Sequence, residues 1–286
     1  MIGIHSGNSG GPSSWLGAVL ISLALPAASL AQEAVGTDAP APAGGGNASD
    51  LAQQLSNPVA DLISLPLQYN FDTGFGPNDT DRSLLNVQPV IPISLNERWN
   101  VISRTIIPLL DVEAAAPGLD DASGVGDITQ SLFFSPKQPV NGWILGAGPV
   151  FLLPTATDDA LGSDQFGIGP TAVALRQSNG WTVGALVNHI WGFDAPDDRD
   201  EVNSSFVQPF LTYTTPDAWT FSLNTESIYD WNTDQWTVPV NLGVAKLVQF
   251  GQQPVSFQLG YREYLEAPEG GPERGLRFVV TFLFPK

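Results

Sequence analysis

The sequence predicts an all-β fold: a closed antiparallel transmembrane β-barrel of about twelve strands, preceded by a short N-terminal helix. Three observations predict it. Charged residues are scarce, at 14% of 286 residues, yet aromatics are plentiful; a water-facing domain of this size carries nearer a quarter charged residues. Period-two segments dominate from residue 63 to the end. Tryptophans recur at the two ends of those segments.

The elements follow in order. Residues 1–31 read as a signal peptide: an apolar run from Trp15 to Leu25, then Ser29 and Ala31 as small residues before a cut at Gln32. That run is shorter than a spanning helix requires, and no later segment reaches such a length. Residues 32–56 read as an Ala/Gly/Pro-rich flexible linker and a short helix, with Asp50 as cap, Leu51 to Leu55 as body and Asn57-Pro58 as stop. Residues 57–286 form the barrel.

Its twelve segments are 63–71, 85–95, 99–109, 128–134, 143–153, 168–176, 181–191, 206–213, 219–229, 235–246, 255–264 and 276–284. Most have the 9–11 residues that a tilted strand needs to cross a bilayer. Pro66, Pro89, Pro92, Pro149, Pro209 and Pro239 fall inside them and are expected at strand ends or bulges, since proline removes a ladder hydrogen bond. Connections alternate between short (96–98, 135–141, 177–180, 214–218, 249–254) and long (72–84, 111–127, 155–167, 192–205, 265–275, with 230–234 the exception). Short periplasmic turns opposite long outer loops are the outer-membrane pattern.

Trp99, Trp143, Trp181 and Trp219 each follow a short turn, whereas Trp191, Trp231 and Trp236 lie at the long-loop ends. Two rows of indoles at two heights predict aromatic girdles at the membrane boundaries. Between the rows one phase is apolar (Leu145, Ala147, Phe151; Val238, Val240, Leu242; Phe257, Leu259, Tyr261; Phe278, Val280, Phe282) and is expected to face lipid. The opposite phase holds Asn70, Gln88, Arg104, Asn188, Asn224, Glu226, Asn241, Gln258, Arg262 and Arg277, together with many Gly and Ala. An open sheet edge in hydrocarbon would leave costly unpaired backbone groups, so the sheet must close.

The net charge of −18 and only 11 basic residues argue against nucleic acid. Absence of cysteine removes disulfides, thiolate metal sites and Cys nucleophiles. Most of the 29 acids fall in the proposed outer loops. They are expected to solubilise the rim. A sharper alternative is Ca²⁺ or Mg²⁺ held there between lipopolysaccharide phosphates, but no loop has the regular acidic spacing of a Ca²⁺ site.

Several stretches carry a family resemblance. They are Leu85-Asn86-Val87-Gln88-Pro89-Val90-Ile91-Pro92, Arg104-Thr105-Ile106-Ile107-Pro108 and Gly126-Asp127-Ile128-Thr129-Gln130-Ser131-Leu132-Phe133-Phe134-Ser135-Pro136. Later ones are Gln208-Pro209-Phe210-Leu211, Trp236-Thr237-Val238-Pro239-Val240, Gly251-Gln252-Gln253-Pro254-Val255 and Leu283-Phe284-Pro285-Lys286. From about Asp50 to Lys286 the chain resembles bacterial outer-membrane proteins related to the MetA-pathway phenol-degradation proteins, often labelled "transporter" or, misleadingly, "neuromedin U". The resemblance implies an outer-membrane barrel passing small, hydrophobic or aromatic compounds, and it supplies no catalytic motif.

Candidate functional residues follow from the inward phase. Arg104, Glu226, Arg262 and Arg277, with Asn188, Asn241 and Gln258, are the lumen or constriction candidates. Opposed charges there either create a field that selects solutes or form an ion-pair cluster that stiffens the barrel. No catalytic residue, metal ligand or cofactor is expected. His189, in the lipid-facing phase beside Trp191, reads as an interface residue, and Gly146-Ala147-Gly148 lacks the strand–helix context of a dinucleotide site. The expected activity is a passive pore or transporter in the bacterial outer membrane. Its expected partners are membrane lipid, lipopolysaccharide and a small-molecule solute. Two rivals are a lipid hydrolase using His189 with Asn188 or Ser205, and a non-conducting structural or surface barrel.

Overall fold

A computed structural model describes residues 48–285 except Pro117, Leu119 and Asp198. The expected signal peptide, almost all of the linker and Lys286 lie outside the described residues. One helix, α1 (Ala48–Leu55), precedes fifteen strands. These are β1 (Ile63–Phe75), β2 (Thr80–Val87), β3 (Val90–Ser94), β4 (Trp99–Val112), β5 (Ala122–Val125), β6 (Ile128–Pro136), β7 (Ile144–Leu153) and β8 (Phe166–Ser178). The remainder are β9 (Trp181–Phe193), β10 (Asn203–Thr214), β11 (Trp219–Thr225), β12 (Ser227–Asp230), β13 (Gln235–Phe250), β14 (Gln253–Glu266) and β15 (Arg274–Phe284). All neighbours pair antiparallel, and β1 returns to β15 from Ile63 opposite Phe284 to Thr73 opposite Arg274. The sheet is therefore closed, with twelve staves.

Fifteen strands make twelve staves because three staves are interrupted. β2 and β3 part at Gln88-Pro89, β5 and β6 at Gly126-Asp127, and β11 and β12 at Glu226. Each break is local. The Gln88 amide still donates to Pro66, the Thr105 amide to the Pro89 carbonyl and the Gly126 amide to Pro108. The break at Glu226 faces the register shift between Val238 and Pro239, so a bulge and a proline re-aim this carboxylate.

The expected proline placement holds at only two positions, Pro89 and Pro239. Pro66, Pro92 and Pro209 stay inside continuous ladders. The Pro66 carbonyl still accepts, from the Gln88 amide, and each proline forfeits its backbone donor. Pro149 faces Pro170, and beside this pair the β6–β7 and β8–β9 registers each skip residues.

Two short turns explain where the lower indoles sit. Asn141 and Gly142 have φ of 52° and 80°, and Asn179 and Gly180 have 51° and 81°. Asn-Gly with both φ positive is the type I′ hairpin turn, whose twist matches the flanking strands. The two turns deliver Trp143 and Trp181 at fixed positions, and Val140 and Trp143 exchange backbone hydrogen bonds of 2.8 and 3.0 Å.

All seven expected girdle tryptophans (Trp99, Trp143, Trp181, Trp219, Trp191, Trp231 and Trp236) are exposed on the outside of the barrel. Trp181 and Trp191 lie ten residue steps apart on β9. At ~3.3 Å per residue and a tilt of ~40° this is roughly 25 Å along the barrel axis, the height of a bilayer-facing apolar band. Leu242, Leu259, Leu276 and Phe221 are exposed between the two rows, whereas Asn70, Asp72, Asn241, Arg262 and Arg277 are buried on the inner phase.

The first long loop was expected at 72–84. Instead β1 and β2 run on to a four-residue turn, 76–79, so Asp72 is a strand residue. Asp127 is not a free rim acid either. Its carboxylate accepts from the amides of Thr155, Ala156 and Ser163 and from the Ser163 hydroxyl, 2.6–3.2 Å away, and thereby ties down the 154–165 loop. Arg199 ties the same loop to its neighbour through the carbonyls of Gly162 and Asp159.

The interior is not uniformly polar, as the inward phase had suggested. Val59, Ile102, Phe133, Val173, Leu175 and Leu186 form an apolar cluster joined by Phe206 and Phe210. Twelve staves enclose more space than wall side chains of ordinary size fill, and this cluster dries one sector, leaving the opening on the other. Helix α1 closes the short-turn end. Its body begins before the predicted cap, and Asp50 sits in the first turn, where a negative charge suits the helix dipole. Leu51, Ala52 and Leu55 pack with Ala60, Leu62, Ala218, Leu247 and Leu283. The Gln177 side chain donates to the Gln53 carbonyl at 2.8 Å.

Candidate functional site in the barrel lumen

The polar sector is crossed by a continuous belt of side chains. Arg277 on β15 donates from Nε to Asn70 at 2.8 Å and from both terminal nitrogens to Glu226, at 2.9 and 2.6 Å. Arg262 on β14 donates from Nη2 to Glu226 at 2.9 Å, from Nη1 to Asp72 at 3.3 Å and to the Tyr264 hydroxyl at 3.1 Å, and from Nε to Asn241 at 2.8 Å. Asn241 passes the chain on to Asn224 at 2.9 Å. Arg82 completes the belt, 3.2 Å from Asp72 and with its guanidinium over the Phe75 ring. Such planar, bidentate pairing is what guanidinium provides and a lysine would not.

Arg104 stands apart. It donates to the Gln88 side chain at 3.0 Å and has no carboxylate within ion-pair distance among the described residues. Three arginines thus share two carboxylates, Asp72 and Glu226, and with Arg104 beside them this stretch of lumen carries a positive excess inside an acidic protein.

Between the belt and α1 lies a cavity of about 270 Å³. Arg104, Glu226 and Arg277 line it at the belt, and Leu55, Asn57 and Ala60 at the helix end. Gln68, Gln208, Ser222 and Thr212 present hydrogen-bonding groups along its wall, and Phe210 and Val279 present apolar surface.

The structure brings Arg104, Glu226, Arg262, Arg277 and Asn241 to one level. Gln258 is lower, lining the cavity and donating to Ser222 at 3.4 Å. Asn188 is not part of the assembly: its register partners are Thr171 and Phe206, on the apolar side. Sequence reasoning missed Asp72, Arg82 and Tyr264. Asp72 continues the inward phase of Gln68 and Asn70, and that continuation is the signal that reaches it; Tyr264 continues the phase of Arg262.

His189 and Ser205 do meet, on the outer face. The imidazole Nδ1 is 2.8 Å from the Ser205 oxygen, which also accepts from the Trp231 indole at 2.9 Å. The imidazole packs against Trp191 at a tilt of 58°, with ring centres 4.2 Å apart. Asn188 points to the opposite face of the strand, and among the described residues Nε2 of His189 has no partner. The pair therefore lacks the third group that orients a catalytic imidazole. No group of three or more His, Asp or Glu among the described residues is placed to hold a metal ion.

The chain matches the family described as "Putative MetA-pathway of phenol degradation" over residues 81–261. No curated protein matches it by sequence. In fold it is similar to an outer membrane channel of Pseudomonas putida F1: TM-score 0.61, 18% identity, 78% of this chain and 96% of that one. Weaker likenesses are to the β domain of the Bordetella autotransporter BrkA (TM-score 0.48, 9% identity, 79% and 100% covered) and to outer membrane phospholipase A of Escherichia coli (0.44, 12%, 85% and 99%). At that level they add nothing to the argument for this chain. The Pseudomonas likeness, at its low identity, speaks to the twelve-stave fold alone.

Proposed function

The chain belongs to the family of the MetA pathway of phenol degradation, and on that premise we propose that it is a passive outer-membrane pore for small molecules. The observation that carries this reading is the inside-out barrel: exposed apolar staves between two indole rows around a polar-lined cavity of about 270 Å³. In this reading the indole rows sit at the two membrane boundaries. The acidic long-loop rim faces the lipopolysaccharide side and keeps it solvated. The constriction is the belt of Arg262, Glu226 and Arg277. The cavity wall mixes amides and hydroxyls with Phe210, Val279 and Leu55, a lining suited to a small solute with an aromatic or apolar body and a polar end.

Planar-bilayer recording and liposome uptake test the proposal. The chain should conduct, and Leu51→Asp, which breaks the packing of α1, should raise the conductance. Silence in both assays, with and without that substitution, would favour a non-conducting surface barrel.

A further inference from the structure

We propose that Arg104 anchors the carboxylate of a small organic anion bound in the lumen cavity, an assignment that rests on the pore reading for its route but not for its chemistry. Arg82, Arg262 and Arg277 each lie within 3.3 Å of a carboxylate. Among the described residues, Arg104 alone of the four has only an amide partner, the Gln88 oxygen at 3.0 Å. Gln88 is itself buried at 6% exposure, so the guanidinium is held in place while most of its five N–H donors remain unused.

A guanidinium on an inward face whose nearby carboxylate is already held by two other arginines is costly unless water or an anion meets it. This one opens onto the cavity. Glu226, the nearby carboxylate, already accepts three hydrogen bonds from Arg262 and Arg277, leaving no oxygen free of a cation for Arg104. The local balance therefore calls for a negative oxygen pair supplied from outside, and a carboxylate fits a guanidinium in a two-point grip.

The cavity sets the rest of the ligand. Its volume of about 270 Å³ gives room for an anion with a single small ring or a short chain. Phe210 and Val279 offer apolar contact for its body, while Gln68, Gln208 and Ser222 serve polar substituents. The acidic rim does not forbid such a solute, because its field is screened over ~8–10 Å at ordinary ionic strength.

Benzoate and benzamide, equal in size and differing in charge, test the assignment. Titration calorimetry uses the chain in non-ionic micelles, as wild type, Arg104→Gln and Arg104→Lys. Benzoate should bind the wild type at least about tenfold more tightly than benzamide does, Arg104→Gln should remove that margin, and Arg104→Lys should keep much of it. Equal binding of the two probes, no binding of benzoate, or unchanged benzoate affinity in Arg104→Gln would overturn it. Potassium chloride conductance is recorded in parallel. Its loss in all three proteins would overturn the pore reading, while the calorimetric comparison would still decide the anion site.

Discussion

Arg277 holds Glu226 with both of its terminal nitrogens, at 2.9 and 2.6 Å, while its Nε is fixed by Asn70. Glu226 is in turn the only carboxylate that Arg262 and Arg277 share among the described residues. It is the hub of the belt, placed by the interruption between β11 and β12.

Glu226→Gln should cost about 2–3 kcal/mol of unfolding free energy. Breaking one side of a buried ion pair costs more, but this side chain keeps 21% exposure, so water offsets part of the loss. The same change leaves the arginines in larger excess, and the reversal potential in a potassium chloride gradient should move toward chloride. An unchanged reversal potential would show that the belt does not lie on the ion path.

Asp72→Asn should be the more damaging of the two carboxylate changes, at about 3–5 kcal/mol. The Asp72 side chain is fully buried between Arg82 and Arg262, and the neutral amide leaves Arg82 without an anion and Arg262 with Glu226 alone. Denaturant unfolding of the two variants in lipid vesicles should rank them in that order.

Charge on the outer wall should cost according to height. Leu259→Arg, midway along β14, should destabilise by about 2–4 kcal/mol, and Val183→Arg, two residues from the lower-row Trp181, by less than about 1 kcal/mol. Equal losses in vesicle unfolding would contradict the girdle assignment of the tryptophans.

Ser205→Ala should cost about 1–2 kcal/mol, because His189 and the Trp231 indole each lose a partner. Phospholipid micelles should stay intact with the wild type and with His189→Ala alike. Hydrolysis that disappears in His189→Ala would restore the lipase alternative.

The barrel was legible because its signals are repetitive. Each Asn-Gly turn and following Trp fixes a strand start, and alternation then fixes both faces, so the inward placement of Arg104, Glu226, Arg262 and Arg277 follows from counting by two. What counting by two does not give is which staves lie close to one another around the lumen. Arg262 and Asp72 are 190 residues apart in sequence, and Asn188 shares the inward phase with Arg104 yet lies against the apolar sector. Asp72 was hidden for a local reason: Gly74 and Gly76, both at positive φ, read as loop, although β1 runs through the first of them before turning. The filling of one sector by Ile102, Phe133 and Leu186 was hidden as well, since an apolar residue on the inward phase of one strand does not announce its neighbours on another.

The belt also crosses the place where the chain's beginning joins its end. Asn70 and Asp72 belong to β1, Arg277 to β15 and Arg262 to β14. Until those staves meet, Asp72 lacks one of its two cations and Arg277 lacks Asn70, so a partly curled sheet exposes unmatched charge to the bilayer interior. Sealing the cylinder cancels that mismatch in a single step. The last hydrogen-bonded ladder and the charge neutralisation therefore arrive together, which favours the finished ring over any unclosed intermediate during insertion.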